Sequence, residues 1–352
     1  MTLLLTNEDV EQVLDMPASV NALEPAYRDM VSGTAVSRRL SQTYLPGPLP
    51  DSSYCLKTVE GGSEALGVMA VRLTSDVLSG RYVGGKLRRE KIAAAPGNRF
   101  LGLVLLFSLS TGELLAIMPD GIIQRLRVGA SSALAAARLA REDATSLALI
   151  GAGNQAEAQV KGLACARVLE HVRVYSPTLE HRVEFANRMS RELGLRVDAV
   201  GSPAAALDGA DIVATATNSG EPVLDVSLLR AGMHVTFIRE SEGDAVTFQR
   251  ADTLVVHSQQ GEIDHYTPRG REDLAQLQRG RGYPWHNYPD LADLITGRTP
   301  GRTDDRQLTM FMNNLGIGIQ FAALGAYVCR EAREQGLGQE IPGDWFLESL
   351  QP

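Results

Sequence analysis

Cysteine is scarce in this chain, with three in 352 residues at Cys55, Cys165 and Cys329. Such wide spacing excludes a disulfide framework and suits buried thiols in a reducing cytoplasm. No apolar run approaches the roughly 18 residues that a membrane-spanning helix needs. Residues 1–8 have no basic start and turn acidic at once, so a soluble, cytoplasmic protein that is not exported is expected. Positive charge is also short: 34 Lys and Arg face 42 Asp and Glu, a net −8. A nucleic-acid groove or an anionic membrane contact would therefore need a local basic patch that overcomes the global field, and neither partner is expected. The nearest candidate, Arg81, Lys86, Arg88, Arg89 and Lys91, reads either as a solvated loop or as a contact to an anionic substrate or cofactor. The six histidines, His171, His181, His234, His257, His265 and His286, include no pair at ligand spacing, so no metal is expected.

The length and a 44% hydrophobic composition allow a large core and about two domains. Residues 7–31 read as helix, capped by Thr6 or Asn7 and interrupted at Pro17 and Pro25. From 54 to 120 short β-rich runs take over, at 66–73, 101–107 and 114–118, with a hairpin-type turn at Ser110-Thr111-Gly112-Glu113. An alanine-rich helix follows at 129–140. Strand and helix then alternate, with strands expected at 148–150, 172–175, 197–200, 211–216, 234–238 and 253–257, which predicts a parallel doubly wound sheet. A last helix at about 314–334 lies well past that sheet and is expected to return to the first region, which makes the first domain discontinuous.

Chemistry concentrates where the apolar run 146–150 ends in Gly151-Ala152-Gly153-Asn154-Gln155-Ala156. Gly151 permits the tight turn, Gly153 lets the backbone approach a pyrophosphate, and Ala156 keeps helix close to strand, with the helix N-terminal amides facing the phosphates. Helical spacing continues through Val160, Leu163, Ala164 and Val168, and His171-Val172-Arg173-Val174-Tyr175 supplies the second strand of a βαβ unit. By the switch-point rule Thr215, Thr217 and Asn218 face the nicotinamide half of a dinucleotide. The second strand ends in Tyr175-Ser176-Pro177-Thr178 with no acidic residue to hold an NAD ribose. That gives a slight lean to NADP over NAD, with Ser176 and Thr178 taking the 2′-phosphate, helped by Arg182, or else forming a plain turn.

The ordered set Thr111-Gly112-Glu113-Leu114-Leu115-Ala116-Ile117-Met118, Leu126-Arg127-Val128-Gly129-Ala130-Ser131-Ser132-Ala133, the glycine turn, Gly209-Ala210-Asp211-Ile212-Val213-Ala214-Thr215-Ala216-Thr217 and Thr299-Pro300-Gly301-Arg302 resembles the ornithine cyclodeaminase and μ-crystallin family of NAD(P)-dependent proteins. The resemblance covers about 5–335 and leaves the tail at 341–346 outside. It implies a homodimer, a Rossmann domain at 129–306, and an α+β substrate-binding and dimerisation domain made of 1–128 and 307–352. It also implies that basic side chains hold a substrate carboxylate, at positions matching Arg39, Arg72 and Arg127. Of these Arg127 is the best placed to clamp a carboxylate with two parallel bonds.

Four departures bear on the chemistry. Arg72 stands where the family has a lysine, and arginine cannot transfer a proton near neutral pH. Ser241 occupies the position of the cyclodeaminase aspartate, leaving Glu240, Glu242 or Asp244 to act for it, or else a solvated acidic turn. In an extended chain Glu240 and Glu242 would point the same way, opposite to Ser241. Val128 and Phe321 replace a threonine and a carboxylate. The favoured expectation is an NAD(P)-dependent reductase of a small keto or imino acid, with Arg72, Glu240 and Glu242 as catalytic candidates. A cyclodeaminase that recycles its NAD internally and a non-catalytic NADP-dependent binding protein remain as alternatives.

Overall fold

The computed structural model describes residues 1–83, 86–259, 263–278 and 282–349, with the backbone alone for 81–83, 86–89 and 277–278. Its first part runs β1 (Thr2–Leu4), α1 (Asn7–Val13), α2 (Met16–Ser32), β2 (Ala35–Ser37), β3 (Ser41–Pro46), β4 (Ser52–Ser63), β5 (Val68–Val83), β6 (Lys86–Ile92), β7 (Leu101–Ser108), β8 (Leu114–Pro119) and α3 (Gly121–Leu139). Two helices replace the one expected at 7–31. Asp15 ends the first by capping the second, its carboxylate accepting the Ala18 amide at 2.8 Å. Pro17 then falls in the first turn of α2, where no amide is missed, and Pro25 sits inside that helix without ending it.

Among the described residues these eight strands, with two more from later in the chain, form a ten-stranded sheet built around the antiparallel run β3-β4-β5-β7-β8. Strand β5 is longer than the 66–73 expectation because β4 pairs with it from Ser63↔Val68 to Ser52↔Ser79. Side chains alternate in the strand manner. Val59, Ala70, Val104, Leu106, Ala116 and Met118 are buried, whereas Leu56, Leu73, Leu101, Leu103, Leu105 and Ile117 on the other face keep some exposure. The side chains of Arg81, Lys86, Arg88 and Arg89 lie outside the described residues, and Lys91 pairs with buried Asp76 at 2.9 Å.

The second part runs β9 (Ser146–Ile150), α4 (Asn154–Ala166), β10 (His171–Tyr175), α5 (Leu179–Leu193), β11 (Arg196–Ala199), α6 (Pro203–Leu207), β12 (Ile212–Thr215), β13 (His234–Phe237), α7 (Ala245–Gln249), β14 (Thr253–Val256), β15 (Asp264–Tyr266), α8 (Leu291–Thr296), β16 (Thr309–Met312), α9 (Gly318–Glu334) and β17 (Gln339–Ile341). The expected doubly wound sheet is present, seven parallel strands in the order β11-β10-β9-β12-β13-β16-β14. The domain limits need correction at two points. Strand β16 inserts between β13 and β14, so the nucleotide sheet continues past 307. Strand β15 pairs with β3, so part of 129–306 belongs to the first sheet. Helix α3 also starts eight residues ahead of the 129 expected, and α9 starts at Gly318 rather than 314. The tail is not loose, for β17 pairs with β1. Among the described residues no helix is long and apolar enough to cross a membrane.

Glycines set the two contacts that hold these units in register. A Cβ on Gly318 would strike the Glu60 carbonyl and one on Gly61 would strike Ile319, so the start of α9 lies directly on β4. Helices α3 and α4 cross where a Cβ on Gly162 would strike the Gly129 carbonyl and one on Gly129 the Ala158 carbonyl. Each neighbour is backbone and cannot swing aside. Gly162→Ala is therefore expected to cost about 1–3 kcal/mol as overpacking, a fall of several degrees in thermal midpoint. An unchanged midpoint in differential scanning calorimetry would mean that the crossing relaxes freely.

Candidate active site

The carboxyl ends of β9, β10, β12, β13 and β16 open into one cleft of about 1000 Å3. Gly151 takes φ +124°, and a Cβ there would collide with the Ala216 carbonyl. Its amide donates to the Tyr175 carbonyl at 2.8 Å, pinning the first strand's turn to the second strand. Gly153, the residue capping α4, has no atom within 4 Å of where its Cβ would stand, so open space lies over the helix N-terminus. Asn154 and Gln155 line the cleft, and Gln155 Oε1 is buried without a hydrogen-bond partner. Ala156 is buried, where it keeps the helix close to its strand. A turn that only glycine can make and an uncovered helix N-terminus with amides to donate are what a dinucleotide pyrophosphate requires.

At the end of β10, Ser176, Thr178 and His181 line the cleft and no carboxylate does. Arg182 is committed elsewhere: Nη1 donates to the Ser176 carbonyl at 2.8 Å, and the guanidinium lies 5.7 Å from the centre of the Tyr175 ring. His181 went unnoticed in the sequence, although it stands one helical turn after Thr178 on α5.

Of the residues expected to face a nicotinamide, Thr217 and Asn218 line the cleft and Thr215 does not. Thr215 Oγ1 donates to Glu242 Oε2 at 2.8 Å, and that carboxylate is the centre of a buried knot. Glu242 is fully buried and accepts four further bonds, from Thr217 N, Thr217 Oγ1, Ile238 N and Arg239 N, at 2.6–3.1 Å. Burial pushes its acidity toward the neutral form and these donors pull it back. The expectation of an extended chain at 240–242 fails, since these residues form a 3₁₀ turn that folds Glu242 inward. Glu242 is thus structural rather than catalytic. Glu240 is also away from the cleft, its Oε2 accepting from Trp285 Nε1 at 3.4 Å. Ser241 Oγ donates to the Ser219 carbonyl, and Asp244 caps α7 through the Thr247 amide.

Of the three arginines expected to hold a carboxylate, one is placed for it. Arg127, 8% exposed on α3, lines the cleft with Gly316 against its guanidinium, close enough that a Cβ there would sit 2.9 Å from Cζ. Nε donates to Gln124 Oε1 at 3.2 Å, and no carboxylate lies within ion-pair distance among the described residues. Burial, with the Arg72 charge nearby, brings its pKa down to about 10. Arg72 is already paired, Nε and Nη2 both 2.7 Å from Asp120 Oδ2, and its guanidinium stacks 5.3 Å from the Phe321 ring centre. Two departures from the family pattern, Arg72 and Phe321, therefore meet in space. Arg72 does not line the cleft, and Arg39 is exposed after β2 and does not line it either.

Three cleft residues have no sequence signal of their own: Asn313, Asn314 and Arg239. Asn313 Nδ2 donates to the Val128 carbonyl at 3.0 Å, leaving Oδ1 buried without a partner beside the nicotinamide half. Behind them, His257 Nδ1 donates to the Leu315 carbonyl, which leaves Nε2 to accept from Tyr27 Oη at 2.6 Å. Gln320 Nε2 donates onward to Tyr27 Oη and Ser131 Oγ. Burial, with Arg127 nearby, holds His257 neutral, its pKa lowered to about 3. This network fixes residues 315–316 against Arg127.

Glu242→Gln places an amide N–H against buried donors, and leaving such groups unsatisfied costs about 1–3 kcal/mol. The variant is expected to melt several degrees lower, whereas Glu240→Gln keeps both stability and rate. A stable Glu242→Gln protein that has lost about 10²–10⁴-fold in turnover would restore the carboxylate to general acid–base catalysis.

The family model "Ornithine cyclodeaminase/mu-crystallin family" matches residues 1–336. A Delta(1)-pyrroline-2-carboxylate reductase of Bacillus cereus is 27% identical over 310 residues, 85% of this chain and 89% of its own length. An ornithine cyclodeaminase of Agrobacterium fabrum is 28% identical over 81% of this chain and 78% of its own. Among solved structures, Delta(1)-pyrroline-2-carboxylate reductase of Thermococcus litoralis in complex with NADH and L-proline superposes with a TM-score of 0.77 at 26% identity, covering 97% of this chain and all of that one. The sequence motifs, the two-sheet architecture and the match over nearly the whole length agree, and the chain belongs to the ornithine cyclodeaminase/mu-crystallin family.

Proposed function

We propose that this protein is an NAD(P)-dependent reductase of a small imino acid. The observation that carries the reading is Arg127, a buried cation at the nicotinamide end of the cleft with no carboxylate opposite it. An uncompensated buried charge is costly, and a substrate carboxylate is the partner that the geometry calls for. Gly151, Gly153, Asn154 and Gln155 would hold the dinucleotide, with Thr217, Asn218 and the Asn313 carbonyl oxygen toward its nicotinamide. When bound, the reduced nicotinamide supplies a hydride. Ser176, Thr178 and His181, with no carboxylate beside them, favour the additional phosphate of NADP.

The choice between imine and ketone follows from what surrounds Arg127. Reducing a ketone requires a proton donor at oxygen. The carboxylates proposed for that work, Glu240 and Glu242, are engaged elsewhere, Arg72 is paired with Asp120, and no Asp, Glu or Lys lines the cleft among the described residues. An iminium ion brings its own proton. The same absence weighs against cyclodeaminase chemistry, which has to move protons on and off nitrogen.

The half-exposed apolar face of the ten-stranded sheet supports a homodimer. Leu56, Leu101, Leu103 and Leu105 lie on the side opposite α9, and a contiguous exposed apolar face suits an interface with a second copy. Only three cysteines, far apart in the sequence, fit a cytoplasmic setting.

Two measurements follow. Consumption of NADPH and NADH should be seen with cyclic imino acids, NADPH being preferred, and kcat/KM should fall as pH rises with a midpoint that shifts with the imine used. A midpoint fixed across imines would point to an enzyme group as proton donor, and ammonia release from ornithine without net cofactor turnover would favour the lyase. In sedimentation, the wild type should run at twice 37.9 kDa and Leu103→Lys as a monomer; a monomeric wild type would remove the dimer.

A further inference from the structure

The cleft holds a second arginine that neither the glycine motif nor the carboxylate-binding positions account for. Arg239 stands two residues past the end of β13, is half-buried, and lines the cleft without an ion pair or side-chain hydrogen bond among the described residues. Its backbone is held firmly: Glu242 Oε2 accepts the Arg239 amide at 3.0 Å and the Ile238 amide at 3.1 Å. The same carboxylate binds Thr217, and Ser241 Oγ donates to the Ser219 carbonyl at 2.7 Å, so the turns after β12 and β13 are stitched together around the cleft. The side chain therefore leaves from a fixed point.

Position decides what it meets. Strand β13 lies two places from β9, about 10 Å from the glycine turn at the usual strand spacing. It is also the neighbour of β16, and Gly316, four residues past the end of that strand, packs on Arg127. Arg127 on α3 and Arg239 after β13 thus line one cleft, and no carboxylate of the described residues lines it to balance either. One carboxylate satisfies Arg127 and leaves a second half-buried cation idle.

We propose that Arg239 is the second anion-binding residue of this site and that the substrate is an imino acid with two carboxylates, one for each guanidinium. This rests on the reductase reading and sharpens it: Arg127 holds the carboxylate beside the imine carbon and Arg239 the distal one. The iminium carbon accepts a hydride, the C=N π electrons become the nitrogen lone pair, and one reduced nicotinamide is consumed. The product is a secondary-amine dicarboxylate.

Imines formed in situ from methylamine with 2-oxoglutarate or with pyruvate test the proposal, because they differ in the distal carboxylate. The wild type should favour the dicarboxylic imine in kcat/KM by about ten- to a hundredfold, the range for a charge-assisted pair. Arg239→Gln should erase that ratio, and Arg239→Lys should keep part of it. Calorimetry of N-methyl-glutamate against N-methyl-alanine on the NADP-loaded protein reads the same preference without turnover. Arg239-dependent binding of the dicarboxylate with no reduction of either imine would retain this inference and sink the reductase reading. Reduction of both imines at equal efficiency would do the reverse. If Arg239→Gln weakens NADPH binding as much as it weakens the dicarboxylate, Arg239 is a cofactor ligand and the inference falls.

Discussion

Arg127 is buried on α3 with Gly316 against its guanidinium, and a cation that acts on it, Arg72, has already taken Asp120. Burying a guanidinium without a counter-ion is among the more expensive things a fold can do, and its lowered pKa of about 10 reflects that cost. The rest of the cleft keeps the position in this state. Glycine at 316 gives the planar group room, the Tyr27–His257–Leu315 chain of hydrogen bonds holds the loop at the right height, and a neutral His257 adds no competing charge. The site is preorganised for an anion rather than neutralised from within.

Both halves of the molecule must be in register for this to work. Arg127 is on a helix of the first unit, yet two residues further on that helix lies against α4, whose N-terminus faces the dinucleotide site. Strand β16 carries the chain out of the parallel sheet and, within six residues, onto the face of β4, so residues 313–317 are tied at both ends. Glu242 plays the corresponding part on the other wall, drawing the ends of β12 and β13 together. Its five accepted bonds leave no lone pair for catalysis, and the geometry it enforces is its function.

Local patterns carried the nucleotide half in the sequence. A Gly-x-Gly-x-x-Ala turn demands a positive φ and an open helix terminus whatever surrounds it, and alternating strand and helix leave few topologies. Arg127 came from the family resemblance and not from helical periodicity, for the helix was expected to begin only at 129. Glu242 and Arg72 were hidden for a common reason: whether a charged side chain faces a ligand depends on partners far away in sequence, here Thr215 and Thr217, and Asp120. The insertion of β16 between β13 and β14 was equally hidden, since strand order is a long-range property, and with it went Asn313 and the domain limit. Arg239 has no signal of its own in the sequence, standing before a run of acids.

The most direct test of this account is a single variant, Arg127→Met, read by two instruments. Removing a buried unpaired cation should leave the ligand-free protein as stable as the wild type or more so, while KM for the carboxylate substrate rises by about ten- to a hundredfold with cofactor affinity held. A large loss of stability in calorimetry, or parallel loss of cofactor and substrate affinity, would show that Arg127 is a structural ion-pair partner and that the cleft was never waiting for a carboxylate.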